Sequence, residues 1–255
     1  MTNSKTHLIQ QYWNEHIHDL SIATRPIGSA DFFQELADYR FEKLDYLKEL
    51  LNSGGQQGKL ILEIGCGAGI DLVCLAKSGA FVYGIDFSSI AIKLAKKNCE
   101  QNGLRANVLL MDGETLGFND NTFDTVYAHG VLQYTADDKR MIAEIYRVLK
   151  PNGQAIMMFY NRCSWLNALS HLTNVGLEHA DAPILRKYSI NEVKQLLQPF
   201  SSLQIIPQRF PVATRLHQGA KARLYNDLFV KSFNWLPRSW VKPLGWHLMV
   251  FATKA

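Results

Sequence analysis

The chain has 255 residues, of which 47% are hydrophobic and 20% charged, so it can fill the core of one large globular domain. Its net charge of +4 is only mildly basic, without the dense Lys/Arg clusters of dedicated nucleic-acid-binding proteins, and no nucleic-acid partner is expected. The four cysteines stand far apart without a CxxC pair, which predicts neither zinc nor disulfides and favours a cytoplasmic location. The polar N-terminus and the lack of a long apolar run predict no signal peptide and no transmembrane segment.

Residues 1–58 are predicted to form an N-terminal helical cap. They are rich in aromatic side chains and contain two helical patterns, HLIQQYWNEHIHDL and DFFQELADYRFEKLDYLKELL. Tyr12 and His16 are four residues apart and therefore share one helix face, with Trp13 beside them. Such an aromatic helix either packs on the core or covers the mouth of a ligand site, and the sequence leaves both interpretations open.

Residues 59–160 alternate short apolar runs with amphipathic segments, which is typical of a parallel sheet covered by helices. Helices are predicted at 70–78, 88–101 and 137–149. Pro151 is predicted to end the third helix, and Asn152-Gly153 to turn the chain into the next strand. The predicted strands are KLILEI, AFVYGID, ANVLLMD, FDTVYA and GQAIMMFY.

Residues 161–255 are predicted to complete the sheet, with a helix near 189–197 and strands near 203–208 and 246–253. Between these strands lies a basic, aromatic insertion from Phe210 to about Pro243. We favour a lid over an acidic or aromatic small molecule; an amphipathic element for a membrane or large apolar substrate, and a solvated face packed on the core, are the alternatives. Its charged residues are Arg215, Lys221, Arg223, Lys231, Arg238 and Lys242, with the single acid Asp227.

The stretch LEIGCGAGIDL, residues 62–72, has glycines at every second position directly behind an apolar run. A dinucleotide fingerprint, GxGxxG, would need its third glycine where this chain has Ile70. The pattern is instead E-x-G-x-G-x-G from Glu63, which lets the chain turn sharply and leaves room for a ligand against the backbone. About twenty residues later, Asp86 ends the next strand, where a carboxylate suits ribose hydroxyls.

This pattern and three later motifs resemble the class I S-adenosylmethionine-dependent methyltransferases. The later motifs are GIDFS, MDGETLGF, and DNTFDTVYAHGVLQY followed by LKPNGQAIM, so the resemblance covers about residues 59–160. It implies an α/β fold with a Rossmann-like, seven-stranded, mostly parallel sheet and helices on both faces, elaborated by the N-terminal cap and the C-terminal insertion in a single catalytic domain. It also implies S-adenosylmethionine as cofactor and S-adenosylhomocysteine as product.

The resemblance assigns roles to individual residues. The methionine part of the cofactor is expected against the glycine turn, Glu63 near its amino group, Asp86 at the ribose and Asp112 at the adenine amino group. Arg40 is expected to fork onto the cofactor's carboxylate, or else to form a surface ion pair. The complete predicted cofactor set is Tyr12, Arg40, Glu63, Gly65, Cys66, Gly67, Gly69, Asp86, Phe87, Asp112, Gly113 and His129.

His129 is the candidate general base, because it follows the fourth strand at the edge where ligands bind and its ordinary pKa is near neutrality. The alternative is a histidine that merely bonds a neighbouring backbone group. Tyr134, in the same loop, is predicted to take part in catalysis, line the acceptor pocket or stack on adenine. Trp13, His16 and Tyr160 are the remaining predicted residues of the acceptor pocket.

Two motifs narrow the reaction. The cluster FNDNTFD precedes the fourth strand and fits a surface turn, so no metal is predicted. The tetrapeptide AHGV stands where enzymes that methylate DNA adenine or glutamine side chains carry an NPPY-like motif, which argues against those acceptors.

We therefore predict methyl transfer to an O or N atom of a small molecule, in specialised natural-product metabolism. The alternatives are a peptide, lipid or quinone precursor as acceptor, and a non-catalytic S-adenosylmethionine-binding partner subunit. The oligomeric state stays open.

Overall fold

One sheet organises the protein, whose computed structural model describes residues 2–17, 20–51, 55–172, 177–212, 223 and 225–255. Its strands are β1 (Leu60–Ile64), β2 (Phe81–Asp86), β3 (Asn107–Leu110), β4 (Phe123–Ala128), β5 (Leu149–Tyr160), β6 (Ser202–Gln208) and β7 (His247–Thr253). Their order across the sheet is β3-β2-β1-β4-β5-β7-β6. The first five strands pair in parallel, and β7 runs antiparallel to both β5 and β6. The predicted seven-stranded, mostly parallel α/β fold is confirmed.

Helices connect the strands and precede the sheet. They are α1 (Thr2–Glu15), α2 (Ala30–Lys43), α3 (Tyr46–Leu51), α4 (Ile70–Lys77), α5 (Ser89–Gln101), α6 (Asp138–Val148), α7 (Trp165–Leu172), α8 (Ile190–Leu196), α9 (Lys231–Trp235) and α10 (Arg238–Val241). Short 3-10 turns occupy Leu20–Ile22, Leu132–Tyr134 and Lys242–Leu244, and a π-helical segment spans Tyr225–Val230. The segment 31–51 is divided, because α2 ends at Lys43 before α3 begins at Tyr46.

The core lies on both faces of the sheet, because neighbouring residues of a strand point to opposite sides. In β1, Leu62 packs in the cluster that includes residues of α6 and α8, whereas Ile61 packs with residues of α3, α4 and α5. Both side chains are fully buried. Strands buried on both faces explain the continuous apolar runs of the sequence and place ligand-binding loops at the carboxyl ends of the strands.

The LKPNG segment differs from the prediction. Helix α6 ends at Val148, and β5 begins already at Leu149, which pairs with Phe123 of β4. The pairing register then shifts before Thr125, and Asn152 adopts a left-handed φ of 61° while its N–H donates to the Lys254 carbonyl. Pro151 has no N–H group to donate to the sheet, and a proline is tolerated at this irregular start of the strand. The strand therefore begins before Pro151, without a turn between it and α6.

The C-terminal insertion is partly described. The basic insertion, for which a lid was the favoured prediction, includes Arg215 and Lys221, which lie outside the described residues, as does the side chain of Arg238. Trp235 and Trp240 are 87% and 71% exposed, so this segment is not simply core. Within the described part of the chain, no helix has the length and apolarity needed to cross a membrane.

Candidate functional site

A cavity opens at the carboxyl ends of the strands, where the strand order reverses between β1 and β4. Its two halves differ in charge. The acidic end follows β1, β2 and β3 and is lined by Glu63, Asp71, Asp86, Asp112 and Glu114. The basic end lies toward β5, β7 and β6 and is lined by Trp13, Lys43, His129, Tyr134, Tyr160, Glu178, Arg209 and His247.

The glycine turn forms the floor of the acidic end. Gly65, Gly67 and Gly69 all have left-handed backbones, with φ of 73°, 52° and 75°, which side chains rarely adopt. A Cβ on Gly67 would have no neighbour within 4 Å, although this residue lines the cavity. A Cβ on Gly69 would approach Ala95 of α5 at 3.0 Å. Gly67 therefore leaves open space for a ligand, whereas Gly69 allows close helix packing.

Asp86 holds this turn in place. Its Oδ2 accepts a hydrogen bond from the Gly67 amide at 2.9 Å, and its Oδ1 accepts one from the Ser88 amide at 2.8 Å. Burial raises the pKa of Asp86, and the two amides oppose that rise. Each carboxylate oxygen keeps a further lone pair, so Asp86 can accept additional hydrogen bonds from a ligand in the cavity.

Arg40 lines the cavity and forms an ion pair, which is buried and not at the surface as the alternative prediction had it. Its guanidinium forks onto Asp71 of α4, with Nε–Oδ1 at 2.6 Å and Nη2–Oδ2 at 2.5 Å. Tyr127 also donates its hydroxyl to Asp71 Oδ2 at 2.8 Å. Burial alone would raise the pKa of Asp71, but the Arg40 charge outweighs it and holds that pKa below the ordinary value. Arg40 and Asp71 thus form a buried, charge-matched pair between the two ends.

Glu63 lies in the acidic end with one oxygen unsatisfied. Its Oε2 is buried and has no hydrogen-bond partner among the described residues. Burial, and then repulsion from Asp71, raise the pKa of Glu63 well above its ordinary value. A buried acceptor of this kind is costly unless a ligand supplies a donor, preferably a charged one.

The remaining predicted cofactor residues line the same end. Asp112 Oδ1 accepts from the Glu114 amide at 2.9 Å, and the Phe87 carbonyl accepts from Gln10 of α1 at 3.2 Å. A Cβ on Gly113 would lie 2.4 Å from Met141 Cε and 2.9 Å from Ile64 Cγ2, so a side chain here would require these two residues to shift. Burial raises the pKa of the Cys66 thiol, which therefore stays neutral.

His129 belongs to a buried hydrogen-bond chain. Arg40 Nη2 lies 3.3 Å from His129 Nδ1, and a guanidinium only donates, so Nδ1 accepts and Nε2 carries the proton toward the Tyr46 hydroxyl at 2.9 Å. On the other side, Arg209 Nη1 lies 3.1 Å from His247 Nε2, and His247 Nδ1 lies 2.6 Å from the same hydroxyl. Both ring nitrogens of His129 thus have protein partners, which does not favour a direct general-base role.

Two cations of the basic end meet one carboxylate. Glu178 Oε1 accepts from Lys43 Nζ at 2.6 Å and from Arg209 Nη2 at 2.8 Å. The side chains of Lys43 and Arg209 are each 12% exposed, and that of Glu178 is 32% exposed. Burial, and then the Arg209 charge, lower the pKa of His247 well below its ordinary value, so this imidazole adds no positive charge.

Aromatic rings form the walls of the basic end. The Tyr134 hydroxyl lies 3.2 Å from that of Tyr160, and the Trp13 ring contacts Tyr134 edge-on at 5.0 Å between centroids. Burial raises the pKa of Tyr160 to about 12, so its hydroxyl is neutral at physiological pH. Tyr160 also stacks on Trp246 at 4.3 Å, so this wall is a tightly packed aromatic cluster.

Tyr12 and His16 do not line the cavity, contrary to the prediction. Their rings stack on each other at 4.2 Å, as their shared helix face requires. The Tyr12 hydroxyl donates to Asp181 at 2.8 Å and lies 3.1 Å from His179 Nδ1. These contacts bind α1 to the loop near residue 180, so the pair supports the cavity wall from behind.

Sequence reasoning missed several lining residues. Asp71 stands in the first turn after the glycine run, and its proximity to the motif was a usable signal. Lys43, Glu178, Arg209 and His247 come from distant segments that carry no motif. Among the described residues, no group of three or more His, Cys, Asp or Glu side chains has the arrangement to hold a metal ion.

The fold and the glycine turn define a class of protein. Residues 62–157 match the family model described as a methyltransferase domain. The chain has the class I S-adenosylmethionine-dependent methyltransferase fold, and the predicted methyltransferase domain is confirmed.

Curated relatives extend this comparison. The ubiquinone biosynthesis O-methyltransferase of Coxiella burnetii is 33% identical over 138 residues, covering 54% of this chain and 56% of that protein. Its counterpart in Klebsiella pneumoniae is 27% identical over 169 residues, covering 65% of this chain and 66% of that protein. The chain therefore spans little more than half the length of the first of these relatives.

Solved structures support the fold over nearly the whole chain. Magnesium protoporphyrin IX methyltransferase from Synechocystis PCC 6803, with bound S-adenosylhomocysteine, has a TM-score of 0.63 at 17% identity, covering 98% of this chain and 99% of that one. A possible histamine N-methyltransferase from Thermotoga maritima has a TM-score of 0.61 at 18% identity, covering 98% of this chain and 100% of that one. At such identities the similarity concerns the fold alone.

Proposed function

We propose that this protein transfers a methyl group from S-adenosylmethionine to an oxygen or nitrogen atom of a small molecule. The observation that carries the proposal is the acidic end of the cavity, where the unsatisfied Glu63 Oε2 lies beside an open glycine turn. The cofactor supplies an electrophilic methyl group on a positively charged sulfur, together with an ammonium group. A cavity lined by carboxylates suits that charge, whereas a pyrophosphate would be repelled.

The residues at this end fit the parts of the cofactor. The backbone beside Gly67 is open and leaves room for the methionine chain. Glu63 would accept from the ammonium group, and Asp86, already fixed by two amides, would accept from the ribose hydroxyls. Asp112, which lines the cavity beside Gly113, would accept from the adenine amino group.

The basic end would hold the acceptor. Methyl transfer is a displacement that requires alignment first and a proton acceptor only where the attacking atom is protonated. Because Arg40 and Tyr46 already occupy the His129 ring nitrogens, we propose that His129 acts as a positioning residue that keeps this wall rigid. Tyr134 and Tyr160 would contact the acceptor ring.

We prefer oxygen as the atom that is methylated, and a quinone precursor as the molecule that carries it. Support comes from the curated relatives, which are named as O-methyltransferases of ubiquinone biosynthesis. Specialised natural-product metabolism, as predicted from the sequence, receives no separate support. A non-catalytic cofactor-binding subunit is the alternative of another class, since an intact acidic end is needed for binding whether or not transfer occurs.

The test is transfer of radiolabelled methyl from S-adenosylmethionine into a fractionated cell extract, with Asp86→Ala in parallel. We expect label in the low-molecular-weight fraction with the unmodified protein only. Label confined to protein or RNA would contradict a small-molecule acceptor. Binding of S-adenosylhomocysteine without any transfer would favour the non-catalytic alternative.

A further inference from the structure

We infer that residues 225–244 of the C-terminal insertion, the docking segment, bind the surface of an anionic lipid bilayer. Three observations carry this inference: the exposed apolar side chains of the docking segment, the packing of its other side chains on the protein, and its basic charge. The surface lies outside the cavity already described, and its binding to a bilayer does not depend on the proposed methyl transfer.

The docking segment exposes large apolar side chains to solvent. Trp235 is the last residue of α9, and Trp240 lies in α10 after the short turn at Leu236 and Pro237. These two tryptophans are almost entirely in solvent, and Leu228 is 60% exposed. The other three tryptophans of the chain are buried or half-buried. Several large apolar side chains exposed around one turn indicate an interaction surface.

Other side chains of the same two helices are packed on the protein. Phe233 of α9 and Val241 of α10 are buried and cluster with Trp165 of α7. Asn161, which follows β5, donates its Nδ2 to the carbonyls of Pro243 at 2.9 Å and Gly245 at 2.8 Å. The docking segment is thus anchored by buried residues, and this anchoring does not account for the exposed tryptophans.

Positive charge accompanies these apolar side chains. The docking segment has the basic residues Lys231, Arg238 and Lys242 and the single acid Asp227. Lys231 donates to Asp227 at 2.8 Å, and both side chains remain more than half exposed. Protein–protein interfaces are depleted in lysine, whereas helices that lie in membrane interfaces combine Trp and Leu with Lys and Arg. The composition therefore favours anionic headgroups as partners of the cations, with the tryptophans at the boundary between headgroups and acyl chains.

The docking segment is joined to the wall of the basic end. Arg209 lines the cavity, and its carbonyl accepts from Trp165 Nε1 at 2.9 Å. The Trp165 ring in turn contacts Phe233 of the docking segment, with 6.4 Å between centroids. Burial raises the pKa of Tyr225 to about 12, and the charge of Arg209 opposes that rise. A bilayer on the docking segment would therefore lie on the side of the basic end. This placement suits an acceptor carried in the bilayer, a consequence that rests on the proposed function.

The experiment measures flotation of the full chain with large unilamellar vesicles. One set of vesicles is an equal mixture of phosphatidylcholine and phosphatidylglycerol, and the other is phosphatidylcholine alone. We expect several-fold tighter binding to the anionic vesicles, and a loss of that preference at high salt concentration. Lipids with brominated acyl chains should quench the tryptophan fluorescence of the bound protein, because Trp235 and Trp240 are exposed.

Two double variants separate the apolar contribution from the electrostatic one. Trp235→Ser with Trp240→Ser should weaken binding to the anionic vesicles by about tenfold and abolish the quenching. Lys231→Gln with Lys242→Gln should weaken binding to the anionic vesicles several-fold and leave binding to the neutral vesicles unchanged. The affinity for S-adenosylhomocysteine and the midpoint of thermal unfolding should stay unchanged in both variants.

Matched controls lie at the other end of the sheet. Phe81→Ser removes an aromatic side chain that is 67% exposed at the start of β2. Lys93→Gln with Lys96→Gln removes two exposed cations from α5, which packs near β2 and β3. Both controls should bind the vesicles as the unmodified protein does.

Three results would overturn the inference: no binding to either set of vesicles, equal binding to both sets, or quenching that survives in the tryptophan variant. A dimer in sedimentation velocity that dissociates in the tryptophan variant, together with no vesicle binding, would assign the docking segment to a second copy of the chain and overturn the inference as well. Because flotation needs neither cofactor nor acceptor, its outcome is independent of the proposed function.

Discussion

The two ends of the cavity are built in different ways. Every acid of the acidic end lies between Glu63 and Glu114, on three neighbouring strands or in the segments that follow them, and backbone amides hold Asp86 and Asp112 in place. The basic end instead joins side chains from seven segments, spread from α1 to β7, through side-chain contacts such as Tyr46 with His247 and Lys43 with Glu178. A local backbone motif suits a cofactor that is the same in every related enzyme. A wall built from separate segments can be altered by substitution of one residue at a time, which suits a site that determines acceptor specificity.

The largest expected effect is on cofactor binding, which we assign to the acidic end alone. Asp86→Ala removes two amide anchors and the predicted ribose contact, and should weaken S-adenosylhomocysteine binding by about 2 to 3 kcal/mol. Calorimetry measures this. Asp124→Asn is the matched control, because Asp124 bonds Leu60 and Lys150 at the opposite edge of the sheet. Its cofactor affinity should stay unchanged, and unchanged affinity in Asp86→Ala would contradict the assignment.

A second effect concerns the charge of the acidic end. The pKa of Glu63 is raised in the free protein, so a ligand whose ammonium group binds the ionised carboxylate must cause Glu63 to release a proton. Affinity for S-adenosylhomocysteine should therefore rise with pH until the free carboxyl is ionised. Calorimetry in buffers of different ionisation enthalpy should detect this release. Glu63→Gln should remove it and weaken binding by about 2 kcal/mol.

The free Glu63→Gln protein provides the control for folding. A raised pKa means that the neutral form stabilises the fold at low pH and that this contribution is lost as the pH rises through the folded-state pKa. The variant should therefore unfold no more readily than the unmodified protein at neutral pH. Identical proton release in both proteins would show that another group accepts the ligand's charge.

A third effect concerns a substitution that disrupts hydrogen bonds at the basic end and leaves the acidic end unchanged. Tyr46→Phe leaves the proton-bearing nitrogens of His129 and His247 facing a carbon atom, which should destabilise the protein by about 1.5 kcal/mol. Urea denaturation measures this loss. Affinity for S-adenosylhomocysteine should be retained, since Tyr46 does not line the cavity. A large loss of that affinity would mean that the two ends are mechanically coupled.

The smallest effect compares two glycines of equal backbone strain. Gly67 and Gly103 have φ of 52° and 65°, and a Cβ on either would meet no atom within 4 Å. Alanine at each position should cost about 1 kcal/mol of stability because of the left-handed backbone. Only Gly67→Ala should weaken S-adenosylhomocysteine binding, because only Gly67 lines the cavity. Equal affinities in the two variants would place the ligand away from the glycine turn.

The same contrast explains what the sequence could predict. The strand-ending acids and the glycine turn depend on neighbours within a few residues, and the α/β fold predicted from them is confirmed. The start of β5 was wrongly predicted, because the pairing of Leu149 with Phe123 and the bond from Asn152 to Lys254 override the turn preference of Asn-Gly.

The basic end lay beyond such reasoning. Arg209 and His247 contact each other, and they contact Glu178 and Tyr46 respectively, only in the folded protein. No local sequence pattern predicts these contacts. Arg40 was predicted to fork onto the cofactor's carboxylate or else to form a surface ion pair, and the sequence did not indicate the buried Asp71 on which its fork lies. The roles of individual residues in ligand binding stay predictions.

The position of β7 in the sheet also determines the order in which the strands can pair during synthesis. Strand β6 reaches the sheet only through β7, although β7 is made after it. During synthesis, β6 and Arg209 must therefore wait until His247–Thr253 has left the ribosome and entered between β5 and β6. The strands that carry the acidic end can pair long before that moment. In a nascent chain, the proposed cofactor site would thus form before the proposed acceptor site.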